Sequence, residues 1–383
     1  MHTSPFLARQ EIVHVVRQYA PGIGGLEEFV ASLAAQQRGM FAKVRVVTCD
    51  RVFSDLETKL AAHEVIDGVE VERIPFLGST RYPVMPGLWR AIRSADIVHV
   101  HGIDFAFDAL AATRILHKKP LFVTTHGGFF HTQAYATLKK IWFQTLTRAS
   151  ATGYRAVVCC SESDRETFSK IAGKRVRLIF NGVDIEKFSG AASKTLSRRA
   201  VTIGRFSNNK RLDLLLDMFA KLAAQDPEWR LEIFGVPFDI TGEELESMVA
   251  ARNLTQAVKI SVGLPVDEIR QALERASFFL SASEYEGFGL ALIEAMSAGL
   301  IPLVQPNEAY RAFAEEHGDV ELCDFSDADA VARKLQSLHA RMDENLADSQ
   351  IALMDAVQTY SWAQTAKTYS ALYESCLSRG DIA

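Results

Sequence analysis

The sequence predicts an α/β protein built from two doubly wound domains, each a mainly parallel sheet wrapped by helices. Three observations carry this. Short, continuously apolar, β-branched runs recur along the chain, as strands buried on both faces require. Helical stretches separate them. The alternation stops in a small, polar, basic segment at Lys187–Arg199 and then begins again. A length of 383 residues suits two domains.

The first strand is read at Glu11–Arg17, followed by glycines and a helix over Leu26–Gln37. Further strands are expected at Val44–Thr48, Val69–Ile74, Asp96–His101, Leu121–Thr125, Ala156–Ser161 and Arg177–Phe180. Helices are expected at Phe105–Leu116 and Asp164–Lys170. The segment FSGAASKTLSRR reads as a linker. Beyond it, strands at Ala200–Ile203, Arg230–Phe234, Val258–Val262, Phe278–Ser281 and Ile301–Val304 alternate with helices. Those helices span Arg211–Gln225, Gly242–Arg252, Pro265–Ala276 and Gly289–Ala298. From Ala328 the tail is helical, ending in Asn345–Val357 and Trp362–Leu377.

Composition narrows the class. Hydrophobic residues make up 48% and charged residues 23%, which excludes disorder, collagen and coiled coil. Five scattered cysteines without a CxxC support neither a disulfide framework nor a zinc cluster, so a reducing cytoplasm is expected. The early apolar run Ile12–Val16 is interrupted by His14 and is too short for a signal peptide. No stretch approaches a membrane span. The net charge of −5 is unevenly spread. Residues 1–185 carry 23 Lys+Arg against 17 Asp+Glu, and residues 186–383 carry 19 against 30. The first half therefore suits an anionic partner.

Four segments carry chemistry. Pro21-Gly22-Ile23-Gly24-Gly25 sits between the first strand and first helix, where glycines admit an anion to helix N–H groups. It is not GxGxxG, and a tight turn alone would explain it. Gly204-Arg205-Phe206-Ser207-Asn208-Asn209-Lys210 follows the first strand of the second domain. Its two cations, expected to be exposed, are placed to grip a diphosphate. In Ser283-Glu284-Tyr285-Glu286-Gly287-Phe288-Gly289-Leu290, Glu286 precedes a helix start whose Gly289 and Leu290 N–H groups suit phosphate oxygens. Glu294 lies eight residues on, and both carboxylates can accept hydrogen bonds from sugar hydroxyls. His126 ends a buried strand before Gly127-Gly128 and points to a ligand site. His131, His99 and His101 are weaker candidates. Asp327-Ala328-Asp329 has the form of a metal-binding DxD but opens a helix, so capping is the better reading.

Glu286 and Glu294 resemble the two-glutamate motif of retaining GT-B glycosyltransferases of family four. The order of the glycine loop, His126-Gly127-Gly128, Asn181-Gly182-Val183-Asp184, Arg205 with Lys210, the glutamates and Pro302 is similar over nearly the whole chain. Four stretches, VHVVRQYAPGIGGLEE, HGIDFAFDALA, THGGFFHT and KKIWFQTLTRASA, resemble one branch in particular. Its members are the α-mannosyltransferases that extend a lipid-linked cellobiose in xanthan- and acetan-type exopolysaccharide assembly.

The resemblance implies a GT-B fold of two Rossmann-like domains facing a cleft. It implies an acceptor-binding domain over 1–185, a nucleotide-sugar domain over 186–357, and a tail, 358–383, returning to the first. Arg205 and Lys210 would hold the donor diphosphate, Glu294 the ribose and Glu286 the donor sugar. His126 would lie beside the anomeric carbon, Gly24 and Gly25 near the donor phosphates, and Phe288, Gly289 and Leu290 against the donor. The implied donor is GDP-mannose, with no cofactor and no metal. The implied acceptor is a polyprenyl-diphosphate-linked oligosaccharide at the cytoplasmic face of the inner membrane. Gln305–Glu308 departs from the glycine-rich loop usual there, which leaves its contacts open. UDP-glucose as donor, or an epimerase of the same architecture, stays open. A glycoside hydrolase would use two carboxylates but not the paired cations.

Peripheral attachment to an anionic membrane is expected through Tyr82, Trp89, Lys139, Lys140, Trp142 and Phe143, which mix rings with cations.

Overall fold

The computed structural model describes residues 4–126 and 141–378. The chain divides into two compact units, one running to Gly182 and resuming at Trp362, the other spanning Val183–Ser361.

The first unit contains β1 (Glu11–Val16), β2 (Lys43–Cys49), β3 (His63–Ile66), β4 (Val69–Ile74), β5 (Leu77–Ser79), β6 (Tyr82–Val84), β7 (Ile97–His101), β8 (Leu121–Thr124), β9 (Ala156–Cys159) and β10 (Val176–Leu178). Eight of these form one sheet in the order β10-β9-β8-β7-β1-β2-β4-β3, with β5 and β6 a separate hairpin. Only β3 runs antiparallel within that sheet, against β4. β1 has β2 on one side and β7 on the other, so strand order reverses there and opens a ligand position at the strands' C-terminal ends.

Alternation divides the faces of this sheet. Val13, Val15, Val98, Val100 and Val123 pack against Phe107, Leu110 and Phe168. Ile12, Val16 and Phe122 lie under Phe29 and Leu33 of the Gly25–Gln37 helix and under Tyr369 and Tyr373 of the Trp362–Ser378 helix. On that second face sit three buried histidines: His14 opposite His99 in register, and His101 two residues on.

The second unit carries β11 (Arg199–Ile203), β12 (Arg230–Gly235), β13 (Val258–Val262), β14 (Phe278–Ser281), β15 (Ile301–Val304) and β16 (Glu321–Leu322). All neighbours are parallel in the order β13-β12-β11-β14-β15-β16, so its reversal falls between β11 and β14. Helices Leu212–Gln225, Gly242–Ala251, Val266–Leu273, Leu290–Ala298, Glu308–His317, Ala328–Met342 and Leu346–Ala356 surround it.

Several expectations need correction. The segment Lys187–Arg199 is no linker: Phe188, Ala191 and Ala192 are buried in the second unit's core. Its backbone is tied down, with Gly190 N–H donating to Ser297, Ala192 to Ala298 and Ser193 to Ala276. Small residues there allow close packing rather than mobility. The units meet at Gly182–Val183 rather than at 185, and at Ser361–Trp362 rather than at 357. Val183 N–H donates to Tyr360, which closes the second unit. Gly182 is pressed against Trp362, where an added Cβ would lie inside contact distance of the indole. The helix expected over Phe105–Leu116 breaks at Thr113, whose hydroxyl bonds back to the Ala109 carbonyl at 2.6 Å. Among the described residues, no helix is long and apolar enough to cross a membrane.

Candidate active site

In the second unit, two loops leave the sheet at the reversal between β11 and β14 and are stitched together. Glu284 N–H donates to the Asn209 carbonyl at 2.9 Å, and Asn209 Nδ2 donates to the Tyr285 carbonyl at 3.0 Å. Arg211 pairs with Glu284. Gly204, at φ 155°, turns the chain out of β11, and a Cβ there would crowd Lys210 Cε at 3.1 Å.

Lys210 Nζ lies 2.6 Å from Glu286 Oε1, and the Tyr310 hydroxyl donates to the same oxygen at 3.1 Å. Both partners of the ion pair are largely buried, at 18% and 12% side-chain exposure, so Lys210 is not the exposed cation expected from the sequence. Burial, with the adjacent Glu286 charge, pushes the Tyr310 phenol well above its usual range, so it stays a donor. Arg205 is exposed, its guanidinium 4.5 Å from the centre of the Phe238 ring.

Gly289, at φ 81°, is the residue before the Leu290–Ala298 helix, so the N–H groups of Leu290 and Ala291 open that helix outward. Glu294 sits in the middle of the helix between buried Ile293 and Ala295 and pairs with Lys187 at 3.0 Å. The Phe288 ring turns inward onto Phe313 and Tyr360. Gln305 and Asn307 are structural: Gln305 Oε1 accepts from Phe325 N–H, and Asn307 caps the Glu308–His317 helix. Asp327 likewise caps the Ala328–Met342 helix, accepting from Ala330 N–H at 2.9 Å.

In the first unit, the Gly22–Gly25 turn follows β1. Gln18 braces it, donating to Glu27 and accepting from Phe53 N–H, both at 2.7 Å. A Cβ at Gly24 would strike the Glu27 carboxylate, whereas one at Gly25 would meet no atom within 4 Å. Gly25 is therefore not required by packing, and its missing side chain leaves room for a ligand. His126 follows β8 at φ 54° and packs edge-on to Phe29 at 4.6 Å. Burial, with the Arg17 charge, lowers its pKa to about 3, so it is neutral at physiological pH.

Three residues of the proposed docking surface gather. Tyr82 lies edge-on to Trp142 at 6.2 Å and to Phe105 at 5.9 Å, and Trp89 meets Phe105 at 6.5 Å. Phe143 does not belong with them: it is core, packed on Phe168 at 5.2 Å. Lys139, Lys140 and His131 lie outside the described residues. Sequence reasoning missed Lys187, which it placed in a linker, and Tyr310. The position of Lys187 just after Asn181-Gly182-Val183-Asp184 was the available signal.

Paired carboxylates and cations at the strand ends of the second doubly wound unit have the chemistry to hold a nucleotide sugar. Residues 23–187 match the Glycosyltransferase Family 4 model and residues 184–348 the model for glycosyl transferases group 1. The chain belongs to this glycosyltransferase family, and its fold is GT-B. It is 41% identical to the GDP-mannose:cellobiosyl-diphosphopolyprenol alpha-mannosyltransferase of Xanthomonas oryzae pv. oryzae, over 96% of this chain and 97% of that protein. The protein of the same name from Komagataeibacter xylinus is 36% identical, covering 96% and 94%. Among solved structures, a Rickettsia africae glycosyltransferase superposes with a TM-score of 0.71 at 16% identity, covering 96% of this chain and 99% of that one. Anabaena Alr3699/HepE in complex with UDP gives 0.67 at 16% identity, covering 95% and 100%.

Proposed function

We propose that this enzyme transfers mannose, with retention of configuration, from GDP-mannose to a polyprenyl-diphosphate-linked cellobiosyl acceptor in exopolysaccharide biosynthesis. The observation that carries this is near-full-length identity of 36–41% to three relatives whose names state that activity. The site has the matching chemistry. As the sugar–phosphate bond breaks, positive charge grows on the sugar ring and negative charge on the departing diphosphate. Arg205, Lys210 and the outward N–H groups at Leu290 stand ready for that negative charge, usually the largest catalytic contribution. Glu294 takes the ribose hydroxyls and Glu286 those of the donor sugar. Gly24 and Gly25 admit the phosphates, and His126 stands beside the anomeric carbon. With these cations in place, transfer needs no metal, and attack comes from the face the diphosphate leaves.

Membrane attachment is part of the same reading, since the acceptor is a lipid. Trp142, which Tyr82 meets edge-on, lies in one stretch of chain with exposed Ile141 and Leu146. Trp89 Nε1 donates to Thr113 at 2.8 Å, beside Ile115 and Leu116, which are 79% and 80% exposed. Arg148, in the same stretch of chain as Trp142 and Leu146, lines a groove of about 580 Å³ with Arg155, Lys170, Lys174 and Arg175. Rings, aliphatic side chains and cations together suit the headgroup boundary at the cytoplasmic face of the membrane.

Incubation with each nucleotide sugar, with and without the lipid-linked acceptor, tests the reaction. A mannosylated lipid should form from GDP-mannose and persist in excess EDTA, with no donor consumed when acceptor is omitted. Transfer from UDP-glucose instead would overturn the donor. Loss of activity in EDTA restored by Mg²⁺ would overturn metal independence. Donor isomerised without acceptor would make the protein an epimerase.

A further inference from the structure

The covered face of the first sheet holds a chain of imidazoles that ends at His126. Gln37 Oε1 lies 2.8 Å from His14 Nε2, and His14 Nδ1 lies 2.9 Å from His101 Nε2. His101 Nδ1 in turn lies 3.1 Å from His126 Nε2. Gln37, His14 and His101 are fully buried. The His99 ring lies tilted against His101 at 4.2 Å but is held separately, by the Tyr373 hydroxyl and the Thr124 hydroxyl.

A neutral imidazole has one N–H and one lone pair, and each hydrogen bond takes one of each. With Gln37 turned so that its oxygen, which can only accept, faces His14, and its Nε2 buried without a partner among the described residues, His14 carries its proton on Nε2 and accepts at Nδ1. His101 must then donate from Nε2 and accept at Nδ1. His126 must donate from Nε2, which leaves its lone pair on Nδ1. One acceptor deep in the unit thus sets the proton positions of all three rings. Burial agrees with neutral rings, lowering His14 to about 4 and His101 well below the usual imidazole value.

We propose that Gln37, His14 and His101 are positioning residues that lock His126 as its Nε2–H tautomer, presenting an unprotonated Nδ1 to the donor sugar. The last clause rests on the reading of His126 given above. A lone pair facing the ring favours the positive charge that the sugar gains only in the transition state, whereas an N–H in its place would oppose it. The relay therefore acts on kcat and leaves donor KM nearly unchanged.

Nitrogen-15 spectra of the wild-type protein labelled at histidine read the tautomers directly and need no variant. His14, His101 and His126 should all show protonated Nε2 and bare Nδ1. In Gln37→Met the terminal acceptor is lost: the His126 tautomer should become mixed and kcat should fall about 10- to 100-fold, the range for partners that orient a functional imidazole. Protonated Nδ1 on His101 or His126 in the wild type overturns the relay, whatever His126 touches. Stoichiometric zinc binding would also overturn it, because nitrogens of His14, His99 and His101 lie within 4.8 Å of one another and a metal would take the lone pairs the relay uses. The predicted tautomers with kcat unaffected by a mixed His126 would overturn the link to transfer, and with it the place of His126 beside the sugar.

Discussion

At Lys210 and Glu286, two side chains assigned to donor binding are bonded to each other, so their removal has two consequences that can be measured apart. Arg205 is exposed and, among the described residues, its guanidinium rests on the Phe238 ring, so Arg205→Ala should leave the melting temperature unchanged. It should lower kcat about 10²–10³-fold, as loss of a preorganised charge-stabilising donor does. Lys210→Ala should lose as much activity but also stability, by about 1–3 kcal/mol, between the values for exposed and buried ion pairs. Adding Glu286→Gln to Lys210→Ala should recover stability without recovering turnover. Thermal melts beside single-turnover kinetics check all three. Wild-type turnover in folded Lys210→Ala would remove it from the site. Arg205, Lys210, Glu286 and Glu294 are legible in the sequence because each lies in a short linear pattern at a strand end. Lys187 has only its position after Asn181-Gly182-Val183-Asp184 as a signal, and Tyr310 and Gln37 have none, because the partners of the three are 107, 24 and 23 residues away. Nothing local records such a pairing.

At the scale of elements, the buried parallel strands announce themselves as apolar runs, whereas β3, β5 and β6 do not. The residues of β3 and β5 are largely exposed, and β6, three residues around a central proline, is too short to carry a hydrophobic period. The segment before β11 misled for the opposite reason, since alanines and glycine at close contacts look like a flexible joint. The short Arg114–His117 helix is a further case: none of its residues is buried, so the pattern that marks a helix face is missing. Its exposed Ile115 and Leu116 nonetheless extend the Trp89 and Trp142 surface. If that surface docks on lipid, Ile115→Glu with Leu116→Glu should abolish pelleting with anionic vesicles and leave the fold and the use of a water-soluble acceptor intact. Wild-type binding should need anionic lipid and weaken with salt. Equal recovery on neutral and anionic vesicles, or unchanged binding by the double variant, would leave the acceptor to reach the enzyme another way.

At the scale of the whole molecule, the two units should respond differently to acid. In the first, His14, His99, His101 and His126 are all held below the ordinary imidazole value of about 6.5, each chiefly by burial. Below that value the unfolded chain takes up protons that the folded unit refuses, so folding stability is full above pH 6.5 and falls as the pH drops toward 4. Asp104 opposes this: burial raises it from 3.8 to about 6, so between those values the folded unit holds a proton that the unfolded chain has lost. Burial raises Asp108 in the same direction, and four imidazoles against two carboxyls leave the imidazoles dominant, each net proton being worth about 1.4 kcal/mol per pH unit. In the second unit His339 is the one described histidine held low, and it is half-buried, while the lowered carboxyls of Asp213, Glu244, Glu321 and Asp324 weaken that unit only in more acid solution than pH 5. Calorimetry from pH 7 to pH 5 should therefore show the first unit's transition moving down faster than the second's. GDP identifies the second transition by raising it, because a ligand stabilises the unit that binds it. The sequence gives little warning of this asymmetry, since a histidine within a strand titrates according to which face it occupies. Equal shifts of both transitions, or a first unit that gains stability on acidification, would mean that the imidazole face is open to water.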